Sequence, residues 1–258
     1  MTDSFPPPDT AAPPPATPPG YAAYTPTRWG EGLSRVQPLS TWIAVLLVVT
    51  VIGSIASIPL ALRVSDAAED YLAPGGISDD EFRDEINSNM FGGAIVSAVG
   101  IALVVLSIIW LFRIVRNHRA FGRQLRWAPG WAIGGWFLPP FVLYIIPLLV
   151  LRESWQASDP ESPPGSPSWK QNSADDVRLW AWWLLYGLSP ILFLVVGVSQ
   201  VTTIGRELED IAEVYVDQRG FVIAQSIVTI AAAVAWFLVV RALTARHTQL
   251  TEEASSRR

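Results

Sequence analysis

The chain has 258 residues, half of them hydrophobic and only 16 % charged, with a net charge of −5. A soluble domain is nearer a quarter charged, and here the apolar residues sit in blocks instead of being spread through the sequence. No cysteine is present, which excludes a disulfide framework, a thiolate metal site and a cysteine nucleophile.

Residues 1–38 hold ten of the 21 prolines. Such a segment has little to bury and too few backbone donors for a helix, so it is expected to be disordered with polyproline II bias. It lacks the basic start and apolar stretch of a signal peptide. A solvated tail is the preferred reading, and a proline-directed protein partner is the alternative.

Five apolar runs follow: Thr41 to Leu62, Phe91 to Phe112, Trp131 to Leu151, Leu179 to Gln200 and Phe221 to Val240. About 20 apolar residues in a helix cross a hydrocarbon core of about 30 Å. Too little polar sequence remains to wrap five such runs, so an all-α, polytopic transmembrane bundle is expected. It would occupy residues 39–247, after the tail of 1–38 and before a short polar tail of 248–258.

The charges between the runs set the orientation. Residues 113–131 read RIVRNHRAFGRQLRWAPGW and contain five arginines and no acid, whereas 63–90 carries eight acids beside Arg63 and Arg83. Arginine is costly to translocate, so the first segment belongs in the cytoplasm and the second outside. The third run decides the rest. If it crosses, the basic residues divide 9 to 9 between the two sides; if it dips in and returns, they divide 14 inside to 4 outside. Pro139, Pro140 and Pro147 interrupt that run, and a continuous helix through adjacent prolines is disfavoured. Four spanning helices plus one proline-broken segment, re-entrant or kinked, are therefore expected, with five spans as the alternative. Both chain ends would then face the cytoplasm from a multi-pass position in the cell membrane.

The two halves show a rough parallel repeat. Each has a span, an acidic outer loop, a second span and a basic exit. The exits, IIWLFRIVRNH (108–118) and VAWFLVVRALTARH (234–247), each place a tryptophan before arginines and a histidine. In the outer loops Ser78 and Glu81 form a capping box ahead of Phe82 and Ile86. Ile204, Leu208, Ile211 and Tyr215 fall at helical spacing.

Chemistry is hard to find. The apolar runs contain no Asp, Glu, Lys, Arg or His, whereas proton relays and ion-coupled sites usually need such groups at depth. Thr50, Ser54, Ser57, Ser97, Ser107, Ser189, Gln225, Ser226 and Thr229 read as interhelical hydrogen-bonding residues. Gly53 to Ser57, Gly93 to Ser97 and Ala231 to Ala235 read as small-residue packing pairs. Trp42, Trp110, Trp127, Trp131, Trp155, Trp180, Trp182, Trp183 and Trp236 read as an interfacial belt, with an aromatic cage around Trp180, Trp182 and Trp183 as the alternative. The two histidines are far apart in sequence, so no metal site, cofactor or nucleic-acid partner is expected, and no catalytic set is visible.

The run from Trp110 to Pro160 resembles the bacterial membrane family called domain of unknown function 4328. The resemblance rests on Arg113, Arg116 and Asn117, on Pro129, Gly130 and Trp131, on Trp136, Phe137 and Pro139, on Pro147, and on Glu153 and Trp155. Leu143 and Ile146 stand where the family often has Asn and Arg. The resemblance implies a polytopic membrane protein and supplies no activity. Two groups of residues are the candidate sites. Arg113, Arg116, Asn117, Arg119, Arg123 and Arg126 form an inner-face motif suited to anionic lipid headgroups. Pro129, Gly130, Trp131, Trp136, Pro139, Pro147 and Glu153 form the central-segment motif. The expected function is a non-enzymatic assembly, regulatory or lipid-interacting membrane component, and the alternative is transport or lipid handling along the broken segment.

Overall fold

A computed structural model of the chain describes residues 33–137, 145–162, 167–172, 174–187 and 207–251. The proline-rich stretch 1–32, Pro139 and Pro140, Ile204, and the later part of the fourth apolar run lie outside the described residues. The described part is helical throughout: α1 (Gln37–Leu72), α2 (Asp79–Ala120), α3 (Trp131–Gly134), α4 (Ile145–Ala157), α5 (Trp169–Asn172), α6 (residues 177–187), α7 (Leu208–Asp217) and α8 (Arg219–Leu250).

Three of these, α1, α2 and α8, are long and apolar enough to cross a membrane. Their most apolar stretches are only 22 %, 22 % and 28 % buried within the protein. Trp42, Ile52, Phe91, Ile101 and Ile227 are among the large apolar side chains left uncovered. Uncovered apolar surface on this scale requires an apolar medium around it, so this is a membrane protein. At 36, 42 and 32 residues the helices are about 54, 63 and 48 Å long, well beyond the roughly 30 Å of hydrocarbon. Part of the excess lies in the 63–90 segment. α1 runs ten residues past its apolar block and α2 starts twelve before its own, leaving only 73–78 as a turn.

The capping box at Ser78 is present. Its hydroxyl accepts from the Glu81 N–H while the Glu81 carboxylate accepts from the Ser78 N–H at 2.9 Å. Here the ends of α1 and α2 meet α7 in a small cluster around Ala68, Phe82 and Ala212, with Tyr71 stacked on Phe82 at 4.9 Å. Arg219 bridges to Asp66 at 2.9 Å and to Glu69 at 3.4 Å. This is the acidic end of the bundle.

Toward the other end α1 packs against both α2 and α8, around Ile43, Leu47, Trp110, Leu111, Trp236 and Leu243. A methyl group on Gly53 would come within 3.1 Å of Val96, and one on Gly92 within 3.2 Å of Leu60. Gly93 faces open space and Ser97 is exposed, so the contact on α2 is one residue earlier than the Gly93 to Ser97 pairing expected. Thr50, Ser57 and Ser226 donate to carbonyls of their own helices. Ser107 is different, because it accepts from the Trp236 indole across to α8 at 3.1 Å.

Candidate functional site

The basic end is assembled by long-range hydrogen bonds, and the first of them depend on how α2 stops. Its last turn closes with Gly122 at φ +71°, a conformation that glycine adopts without steric cost. The Gly122 N–H donates to Arg119 O at 2.9 Å and the Arg123 N–H to His118 O at 3.0 Å. That pair is the Schellman closure, which reverses the chain direction at a helix end. The reversal turns Arg123 inward, leaving it 1 % exposed. Its Nη2 donates to the carbonyls of Ser162 at 2.7 Å and Asp159 at 3.0 Å. Burial holds its pKa below the ordinary arginine value; the Asp159 charge opposes that shift and Arg246 adds to it.

Asn117 ties a different segment. Its Oδ1 accepts from the Ser34 N–H and its Nδ2 donates to Ser34 O, both at 2.9 Å. This bracket fixes which end of the amide is which. Nδ2 then faces His247 Nε2 at 3.1 Å, so that ring nitrogen accepts and the His247 proton sits on Nδ1. Arg113 adds a bond from Nη1 to Arg35 O at 2.9 Å. His118 meets Ser158 Oγ at 3.2 Å through Nε2, and its ring lies edge-on to His247 with centroids 4.9 Å apart. Both imidazoles are fully buried.

The third apolar run begins and ends in the same neighbourhood. The Glu153 carboxylate accepts from the backbone N–H of Arg126 at 2.6 Å and of Trp127 at 3.0 Å, just before the run starts. A methyl group on Gly135 would fall 2.7 Å from Ile146 Cγ2, so α4 approaches the residues after α3 where only glycine leaves room. Pro129 and Gly130 form the turn into α3, their carbonyls accepting from Ala132 and from Ile133 and Gly134. Pro147 is buried in α4. Pro139 lies outside the described residues.

Above this level the aromatic side chains converge. Trp110 donates to Thr244 Oγ1 at 3.0 Å and lies edge-on to Trp236, in reciprocal fashion to the Trp236 bond with Ser107. Trp182 tilts against Trp236 at 4.6 Å and stacks on Tyr186 at 5.1 Å. Trp136 completes the group, 5.9 Å from Tyr186. Trp136, Trp182, Tyr186 and Trp236 wall a cavity of about 210 Å³ that also touches Leu103 and Ser107. Trp110, Trp182 and Trp236 are therefore core residues, not belt residues. Trp42, Trp131 and Trp180 remain exposed, as a belt requires.

The inner-face motif thus divides. Arg116, Arg119 and Arg126 have exposed side chains, Arg113 is half-buried and bonded to the chain entering α1, and Asn117 and Arg123 are internal. A headgroup in solvent cannot reach Arg123. Sequence reasoning missed Ser158, Asp159, Ser162 and Thr244 as partners and missed the meeting of His118 with His247, although both histidines stand in the matched exits. Among the described residues no three His, Cys, Asp or Glu side chains are grouped as metal ligands.

A family model described as Domain of unknown function (DUF4328) matches residues 75–245. No curated protein and no solved structure matches the chain. The chain belongs to that family.

Proposed function

With that membership as premise, we propose that the protein is a non-enzymatic assembly or regulatory component of the cell membrane, working through its basic end. In this reading the basic end faces the cytoplasm, as the cost of translocating arginine dictates. The third apolar run is re-entrant, and both chain ends lie on the cytoplasmic side. The observation that carries the topology is the grip of Glu153 on the N–H groups of Arg126 and Trp127, which brings the two feet of the run together. Non-helical backbone at membrane depth persists where other protein covers it, and the aromatic rings around Trp136 supply such cover.

The functional part of the proposal follows from what the hydrogen bonds leave over. Asn117, Arg123 and Glu153 hold the loops rigid, while Arg116, Arg119 and Arg126 are presented outward on that rigid surface. The proline-rich sequence before residue 33 would offer a second contact for a protein partner. Site-specific photo-crosslinking in cells tests the reading. Probes at Arg116 and Arg119 should capture a defined protein, and a probe at Asp80 should not. Capture from Asp80 alone would move the working face to the acidic end.

A second reading, handling of apolar cargo, is favoured by one observation, the cavity between Trp136 and Trp182. Cargo flux in proteoliposomes that Trp136→Ala alters would support it. Equal flux with and without the protein would remove it.

A further inference from the structure

The seam between α1 and α8 is not closed along its length, and the gap changes character from one end to the other. Toward the basic end it is a cavity of about 500 Å³ walled by Gln37, Thr41, Arg241, Thr248 and Gln249. Farther in lies a second cavity of about 260 Å³, whose walls, including Val48, Ile52, Ala233 and Val234, are wholly apolar. Phe237 lines both. On α8, Phe237 is one turn from Arg241 and Ala233 is two turns, roughly 6 and 12 Å along the axis. A pocket with a polar rim of Gln37, Thr41, Arg241, Thr248 and Gln249 thus sits over a wholly apolar slot.

Arg241 is the first charged residue after the apolar run that ends at Val240, which sets it at headgroup depth. Its side chain is exposed. Arg152, Arg178, Arg219 and Arg246 each meet a carboxylate within 4 Å, whereas Arg241 meets none among the described residues. A guanidinium is matched to phosphate oxygens, which it engages through two parallel N–H bonds. The Gln249 amide, which lines the same cavity, supplies a further donor.

From this order of groups we infer that the α1–α8 seam binds one phospholipid with an anionic headgroup. The phosphate sits on Arg241, and one acyl chain lies past Phe237 in the slot between Val48 and Ala233. The inference rests on the reading that the basic end lies at the membrane surface.

The test is lipid retention by the purified full-length chain in detergent, read by native mass spectrometry. Phosphatidylglycerol and phosphatidylcholine with the same acyl chains are added separately. The wild-type chain should hold one phosphatidylglycerol in preference to phosphatidylcholine. Arg241→Gln should weaken phosphatidylglycerol retention about five-fold, as expected for one basic residue at a membrane surface, and weaken phosphatidylcholine less, because the choline ammonium already neutralises its phosphate. Arg241→Lys should keep most of the preference. Ala233→Trp, which fills the apolar slot, should lower retention of both lipids. Wild-type retention in both Arg241→Gln and Ala233→Trp would overturn the site. A dimer that Ala233→Trp separates, with lipid retention unchanged, would overturn it in favour of a second copy. Retention in detergent is independent of sidedness, so this result and the cellular crosslinking succeed or fail separately.

Discussion

The two ends of the bundle are held in different ways. At the acidic end a few apolar side chains around Phe82 bring α1, α2 and α7 together, with exposed ion pairs from Arg219 outside them. At the basic end an apolar core around Trp110 and Leu243 is supplemented by hydrogen bonds that are largely buried and remote in sequence: Asn117 to Ser34, Arg123 to Asp159 and Ser162, His118 to Ser158, Trp110 to Thr244. Apolar burial is non-directional and tolerates adjustment. A buried hydrogen bond is directional, and losing one partner leaves the other unsatisfied at a cost. The acidic end is therefore built to cohere and the basic end to hold a particular shape. That is the property expected of a surface that presents arginines to a partner.

Substitutions can break or sharpen this contrast. The largest effect should come from Arg123→Ala, which removes two charge-assisted bonds to buried carbonyls, at about 4 kcal/mol. Thermal denaturation in detergent would measure it, and faster amide exchange over residues 152–162 would locate it. Phe82→Ala should cost about 3 kcal/mol by opening a cavity in the small cluster. Its exchange signature should be confined to α7 and the neighbouring turns of α1 and α2. Asn117→Leu should cost about 2 kcal/mol and free residues 33–36 from the end of α2, seen as protease sensitivity there. Arg219→Gln should cost less than about 1 kcal/mol and lose its effect in high salt, as exposed ion pairs do. Arg116→Gln should shift stability by no more than about 0.5 kcal/mol, while abolishing capture of a partner at that face. Equal losses from Arg123→Ala and Arg116→Gln would erase the distinction between holding and presenting residues.

What could be read from sequence was local. The Ser78 and Glu81 capping box needs only four residues in a row, and it is present. The apolar runs marked α1, α2 and α8 because length and hydrophobicity require no knowledge of neighbours. Helix ends were less legible. α1 and α2 continue into charged sequence because helical hydrogen bonding persists wherever an apolar stripe such as Ala68 or Phe82 finds cover. Facing was illegible too. Gly92 rather than Gly93 meets α1, because the rotation of a helix in a bundle is set by its partners. Arg123 looked like its four neighbours in the basic segment, and only the reversal at Gly122 distinguishes it. Trp110, Trp182 and Trp236 looked like belt residues because block ends attract tryptophan for that reason. Their burial depends on meeting one another across helices.

In the proposed arrangement the stitched basic end, with both feet of the third run and the C-terminal end of α8, faces the cytoplasm. The chain has no cysteine, so single cysteines can be read without background. A membrane-impermeant maleimide applied to intact cells should label Asp80→Cys at once. It should label Gly130→Cys, Glu161→Cys and Ser255→Cys only after the membrane is opened. Labelling of Ser255→Cys in intact cells, with Gly130→Cys still protected, would contradict the account, because the third run would then cross the membrane.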